Sequence, residues 1–173
     1  MNSSNNFKQI LIWVFFVASQ ILFAQNFVLY NLAFCFVYVG FLLLLPLGIS
    51  RNYTLLLGFF TGLIIDIFYN SLGTHMAAMT LIAFIRPIWL NAITPRGGYE
   101  NVDSPGIKDL SLSWFLAYAV PLLFIHLAVV FFIEAGGFHM FFYVISKVLM
   151  STLLTVMVLV ILQYLFYSKG RFS

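Results

Sequence analysis

Asp66, His75, His126, Glu134, His139 and Lys147 are the side chains of this sequence that could do chemistry if the fold brought them together. A carboxylate beside an imidazole or an amine can pass a proton, and three such groups can hold a metal ion. His75, Glu134 and His139 are the candidates for a metal at one face. Their spacing matches no metal motif such as HExxH, so ordinary interfacial polar residues are the better reading. Asp66 as the centre of a proton relay lacks a second acidic or pore-lining series. No Ser/His/Asp or Cys/His arrangement, paired-carboxylate site or phosphate loop can be assembled. The residues argue against an enzyme and call for no cofactor.

The elements that must position these groups are unusual in composition. Of the 173 residues, 63% are hydrophobic and 8% are charged, and the mean hydropathy is +1.05. A soluble domain carries roughly 25% charged residues, so this chain is made for lipid. The sequence predicts a single integral-membrane domain over 1–173, an all-α bundle of about six transmembrane helices. The expected spans are 7–24, 27–47, 53–70, 72–93, 112–133 and 140–167, with one real loop at 94–111. The lone Cys35 allows no intrachain disulfide. A net charge of +3 is too small and too dispersed for a nucleic-acid partner.

Basic residues set the orientation. With the N-terminus inside and about six spans alternating, Lys8, Arg51, Arg96, Lys108, Lys169 and Arg171 all fall in the cytoplasm. Arg86 lies near the same end, where its side chain is expected to reach lipid phosphates as an inner-interface anchor. Trp13, Trp89 and Trp114 are expected at the membrane interfaces. The expectation is therefore N-in and C-in. The first span reads as a retained helix, although its basic lead and its small residues Ala18, Ser19 and Ala24 also match a cleavable signal.

Within the third span, "GFFTGLIIDIFYNSLG" carries Gly58, Gly62, Asp66 and Asn70 at intervals of four. That interval keeps them along one helix face. The glycine pair lets another helix approach closely, and a carboxylate inside a span faces protein with a partner. The stripe therefore reads as a packed face, either within the bundle or against a partner protein. Lys147 in the sixth span lies at similar depth, so an Asp66–Lys147 ion pair, direct or through His139 or water, is one expectation. Hydrogen bonds from the tight turn to Asp66 are another.

The longer stretch "GFFTGLIIDIFYNSLGTHMAAMTLIAFIRP" resembles the central segment of the rod shape-determining protein MreD family. The resemblance rests on Gly58, Gly62, Asp66, Gly73 and Arg86: a glycine pair, an aspartate, a glycine turn and a basic inner end. It is sharp over these roughly 30 residues and general in hydropathy elsewhere. The resemblance implies a scaffold of the bacterial elongasome, multi-pass in the inner membrane, serving cell shape and peptidoglycan synthesis. Its implied partners are an MreC-like bitopic protein, MreB, RodA and a penicillin-binding transpeptidase; membrane lipid and a second copy of the chain are further expected partners. The family is also similar in fold to the substrate-binding subunits of energy-coupling-factor transporters. A vitamin-binding subunit is therefore the alternative, but the short outer connections offer few ligand-binding groups.

Overall fold

A computed structural model describes residues 3–71, 73–100 and 102–167. Lys169 and Arg171, used in the orientation argument, lie outside the described residues. The chain is mostly helical, in the order α1 (Ser3–Leu22), a single 3-10 turn (Ala24–Asn26), β1 (Val28–Leu29), β2 (Ala33–Phe34), α2 (Val39–Leu43), α3 (Arg51–Tyr69), α4 (Thr74–Ala92), α5 (Ile107–Leu110), α6 (Leu112–Glu134) and α7 (Phe141–Tyr167). Among the described residues, three helices are long and apolar enough to cross a membrane: α3, α6 and Phe141–Leu165 of α7. In α1 the apolar stretch Phe7–Leu22 is shorter, and α4 is diluted by Thr74, His75, Arg86 and Asn91. The expectation of about six spanning helices is not met in that form.

The clearest departure is at 27–47, expected as one helix. It forms a β1–β2 hairpin pairing Val28 with Phe34 and Leu29 with Ala33. An irregular stretch and the five residues of α2 follow. The hairpin turns through Tyr30 and Asn31, both left-handed, with φ of 52° and 56°. The sequence misleads here because an unbroken apolar run carries no period to separate strand from helix. Val37, Tyr38, Val39, Phe41, Leu42 and Leu43 are all buried in the protein core. The apolarity of this stretch reflects protein on every side, not lipid.

The remaining boundaries have local causes. Asn70 ends α3 in the left-handed region, φ 53° and ψ 36°, and its N–H returns to the Asp66 carbonyl. Ser71 N–H returns to the same oxygen at 3.1 Å, a double closure typical of helix ends. Gly73, at φ 82°, then starts α4. At the other end of α4, the stretch 93–111 leads through α5 to α6. The two ends of the molecule are called here the turn end, at Asn70, and the loop end, at 93–111.

Helix α4 is the hub, packed on α3 and on α6, while α7 covers α6 and β2. The α3–α4 contact is close because Gly58 and Gly62 face it. A methyl group on Gly58 would stand 2.9 Å from Ala83 Cβ and 3.0 Å from the Met79 carbonyl oxygen. On Gly62 it would run into the Met76 backbone and lie 2.6 Å from the His75 carbonyl oxygen. Backbone cannot yield as a side-chain tip can. Gly62→Ala should therefore lower stability by about 1–3 kcal/mol, and Gly58→Ala by less. Gly97→Ala, where nothing lies within 4 Å of the added carbon, should change nothing. Thermal unfolding in detergent checks the order, and equal melting temperatures for the three variants would contradict it.

Candidate functional site

The buried polar residues tie the elements together at both ends, starting at the turn end with Asp66. Its side chain is 5% exposed and reaches across from α3 to the first turn of α4. One carboxylate oxygen accepts from Ser71 Oγ at 2.6 Å and from His75 N at 2.9 Å, and the other accepts from Met76 N at 2.8 Å. The N-cap position of α4 is Gly73, which has no side chain to do this. Asp66 thus caps a neighbouring helix from outside it, placing negative charge where the helix dipole is positive. Gly58, Gly62, Asp66 and Gly73 cohere as one joint between α3 and α4. Asn70 is exposed and serves as the helix stop, not as part of the packed face.

The expected Asp66–Lys147 ion pair is not formed. Lys147 Nζ lies 4.6 Å from the Phe34 ring centroid and 4.4 Å from that of Phe131. An ammonium between two aromatic faces is held by their quadrupoles. Depth along a helix does not fix direction around it, and Lys147 turns toward β2 and α6. His139 and Glu134 are exposed, while His75 points into the core. Among the described residues, no group of three or more His, Cys, Asp or Glu could hold a metal ion.

From the turn end inward, α7 and α1 support the irregular stretch. Phe34 N–H donates to Ser151 Oγ at 2.9 Å, and Phe36 N–H donates to Thr155 Oγ1 at 3.1 Å. Tyr38 N–H donates to Gln20 Oε1 at 3.4 Å, while Gln20 Nε2 donates to the Cys35 carbonyl at 3.0 Å and to Tyr69 Oη. The spacing explains the pairing. Alternate strand residues repeat every 6.6 Å or so, and helix residues four apart repeat every 6 Å or so. Two hydroxyls at i and i+4 of α7 therefore match two successive inward N–H groups of an extended chain.

At the centre, Tyr38 Oη lies 2.9 Å from His75 Nδ1 and 2.8 Å from His126 Nε2. A phenol has one proton, so at least one of these imidazoles donates to the phenol oxygen. Among the described residues, the outward nitrogens, His75 Nε2 and His126 Nδ1, have no hydrogen-bond partner. Because His75 N–H also binds Asp66, a continuous chain links α3, α4, the irregular stretch and α6.

At the loop end the same task falls to Arg86 and Tyr118. Arg86 is 3% exposed; its Nε donates to Tyr118 Oη at 2.8 Å and its Nη2 donates to the Leu45 carbonyl. Tyr118 Oη in turn donates to the Leu43 carbonyl at 3.0 Å. Arg86 is thus turned inward, unlike the outward reach expected of it. The tryptophans likewise bind protein: Trp13 Nε1 donates to Thr61 Oγ1 at 2.9 Å, Trp89 Nε1 to Ala117 O at 3.3 Å, and Trp114 Nε1 to Ile93 O at 3.1 Å. In the 93–111 stretch, Tyr99 Oη donates to Leu90 O at 2.7 Å, and burial raises the pKa of its phenol above the usual value.

Sequence reasoning missed Gln20, Tyr38, Tyr118, Ser151 and Thr155. A signal existed for two of them, since Ser151 and Thr155 stand four apart in an apolar helix. Compared with protein-family models, with curated proteins and with solved structures, the chain gives no match in any of the three.

What this arrangement does chemically is satisfy backbone. Asp66→Asn places an amide N–H₂ against a backbone or hydroxyl donor, and should lower stability by about 1–3 kcal/mol. Adding Lys147→Met should give an effect additive within about 0.5 kcal/mol, as for independent sites. Chemical unfolding of the single and double variants measures this. Recovery of stability in the double variant would restore the ion pair.

Proposed function

We propose that this chain is a non-enzymatic, multi-pass scaffold subunit of the bacterial wall-elongation machinery, similar in role to MreD. The observation that carries the reading is where the reactive side chains go. Asp66, His75, His126 and Arg86 are buried and bind neighbouring side chains or main-chain groups of the same protein, each joining two elements. Such a system fixes a surface instead of presenting a reaction centre. The larger grooves, of about 540 and 510 Å³, are mostly apolar. The second is lined by side chains of α6 and α7, among them Leu116, Phe124, Leu153 and Val156.

In this reading the protein lies in the bacterial inner membrane with both termini in the cytoplasm. Support comes from Arg51, Arg96 and Lys108 at the loop end. The chain crosses about six times, the second time through the 33–47 stretch, in which only the five residues of α2 are helical. A non-helical crossing is tolerated only inside protein, which fits the burial of this segment. Its work is to hold the single helix of an MreC-like partner and to bring RodA, a penicillin-binding transpeptidase and MreB to one place. Because α4 covers Gly58 and Gly62, the partner contact falls to exposed apolar side chains such as Phe60 and Ile67 of α3 or Leu153 and Met157 of α7.

Affinity purification from native membranes in mild detergent, followed by mass spectrometry, tests the reading. The expected result is co-elution of an MreC-like bitopic protein with wall-synthesis enzymes. Co-elution of a pair of ATPases and a coupling membrane subunit would overturn it in favour of a transporter subunit.

A further inference from the structure

The loop end contains a small cavity of about 120 Å³, lined by Leu47, Ile49, Arg51, Thr54, Arg86, Pro87, Leu90, Asn91 and Tyr99. Three features of its wall concern charge. Arg86 carries a permanent positive charge almost wholly removed from solvent. Its Nε and Nη2 bind neutral oxygens, which leaves Nη1 without a protein acceptor among the described residues. Among the described residues no carboxylate pairs with it, although buried charges are normally paired. Arg51, whose guanidinium carbon sits 4.3 Å from the Phe84 ring centroid, brings a second cation to the rim. The N-terminus of α3 opens at the same place, and its N-cap residue Ser50 makes no side-chain cap. First-turn N–H groups of a helix lack intrahelical partners and favour an anion.

We propose that this cavity binds one phosphate group, held by Arg86 and Arg51 at the N-terminus of α3. The cavity of about 120 Å³ has room for one tetrahedral oxyanion. Asn91 is a further lining residue, and the remaining guanidinium nitrogen of Arg86, Nη1, is a charged donor of the kind phosphate oxygens accept. The phosphate can come from a lipid headgroup or from solution; the chemistry is shared. In either case the bound anion completes the charge balance that the chain itself leaves open. The proposal stands independently of the scaffold reading.

The test uses the full chain in maltoside detergent and phosphate-free buffer, supplied with phosphatidylglycerol, with diacylglycerol as the phosphate-free lipid, or with inorganic phosphate at constant ionic strength. Native mass spectrometry counts retained lipid, and thermal unfolding reports stabilisation. Arg51→Gln alters only the rim, so it keeps the experiment informative if Arg86→Lys fails to fold. Lys108→Gln removes an equal charge elsewhere at the same end. The expected result is one phosphatidylglycerol retained per wild-type chain, no retained diacylglycerol, and retention reduced about fivefold or more in Arg51→Gln but unchanged in Lys108→Gln. Stabilisation by inorganic phosphate without lipid retention, lost in Arg51→Gln alone, supports the same site with a soluble occupant. Equal behaviour of Arg51→Gln and Lys108→Gln, or no response of the wild type to either phosphate source, would overturn the proposal.

Discussion

Backbone N–H and C=O groups in an apolar medium must find partners, and a chain that is not helical there must find them outside itself. This constraint organises the protein. The stretch 33–47, irregular outside the short β2 and α2, supplies donors at Phe34, Phe36 and Tyr38 and acceptors at Cys35, Leu43 and Leu45. Each is met by a side chain from elsewhere: Ser151 and Thr155 of α7, Gln20 of α1, Tyr118 of α6 and Arg86 of α4. Polar residues that look out of place in apolar helices are where they are because this stretch needs them. Removing one leaves a buried group without a partner, which costs more than the bond itself contributes.

Helix α4 is the element on which these demands converge. At the turn end Asp66 fixes its first turn, and at the loop end Arg86 ties it to Leu45 and Tyr118. Between them, Gly58 and Gly62 bring α3 against its backbone. Rotation or sliding of α4 would break polar contacts at both ends together. The His75–Tyr38–His126 chain adds a third tie, from the first turn of α4 through Tyr38 to α6. A bundle so tied presents a fixed lateral surface, which is the property a scaffold requires.

Much of the helical frame was legible in the sequence, because length and apolarity suffice to find α3, α6 and α7. The glycine pair and Asp66 were legible as a packed face, since a stripe at intervals of four has one physical meaning in a helix. Its partner was not, because intrachain and interchain packing make the same demand on residue type. The 27–47 region was misread for a related reason. Burial in protein and burial in lipid select the same residues, so Phe36 to Leu45 look like a span whether helical or not. The directions of Lys147 and Arg86 were also hidden, since a sequence gives depth along a helix more readily than rotation about it. Ser151 and Thr155 become readable only once an extended neighbour is known.

The central claim is that residues 34–36 are non-helical and held by hydroxyls of α7. Hydrogen–deuterium exchange of the full chain in detergent, comparing wild type with the Ser151→Ala/Thr155→Ala double variant, tests this most directly. The account predicts slow exchange of the Phe34 and Phe36 amides in the wild type, and a selective loss of that protection in the variant while α3 and α6 stay protected. Continuous protection across 27–47 that is indifferent to the double substitution would show a self-satisfied helix and contradict the account.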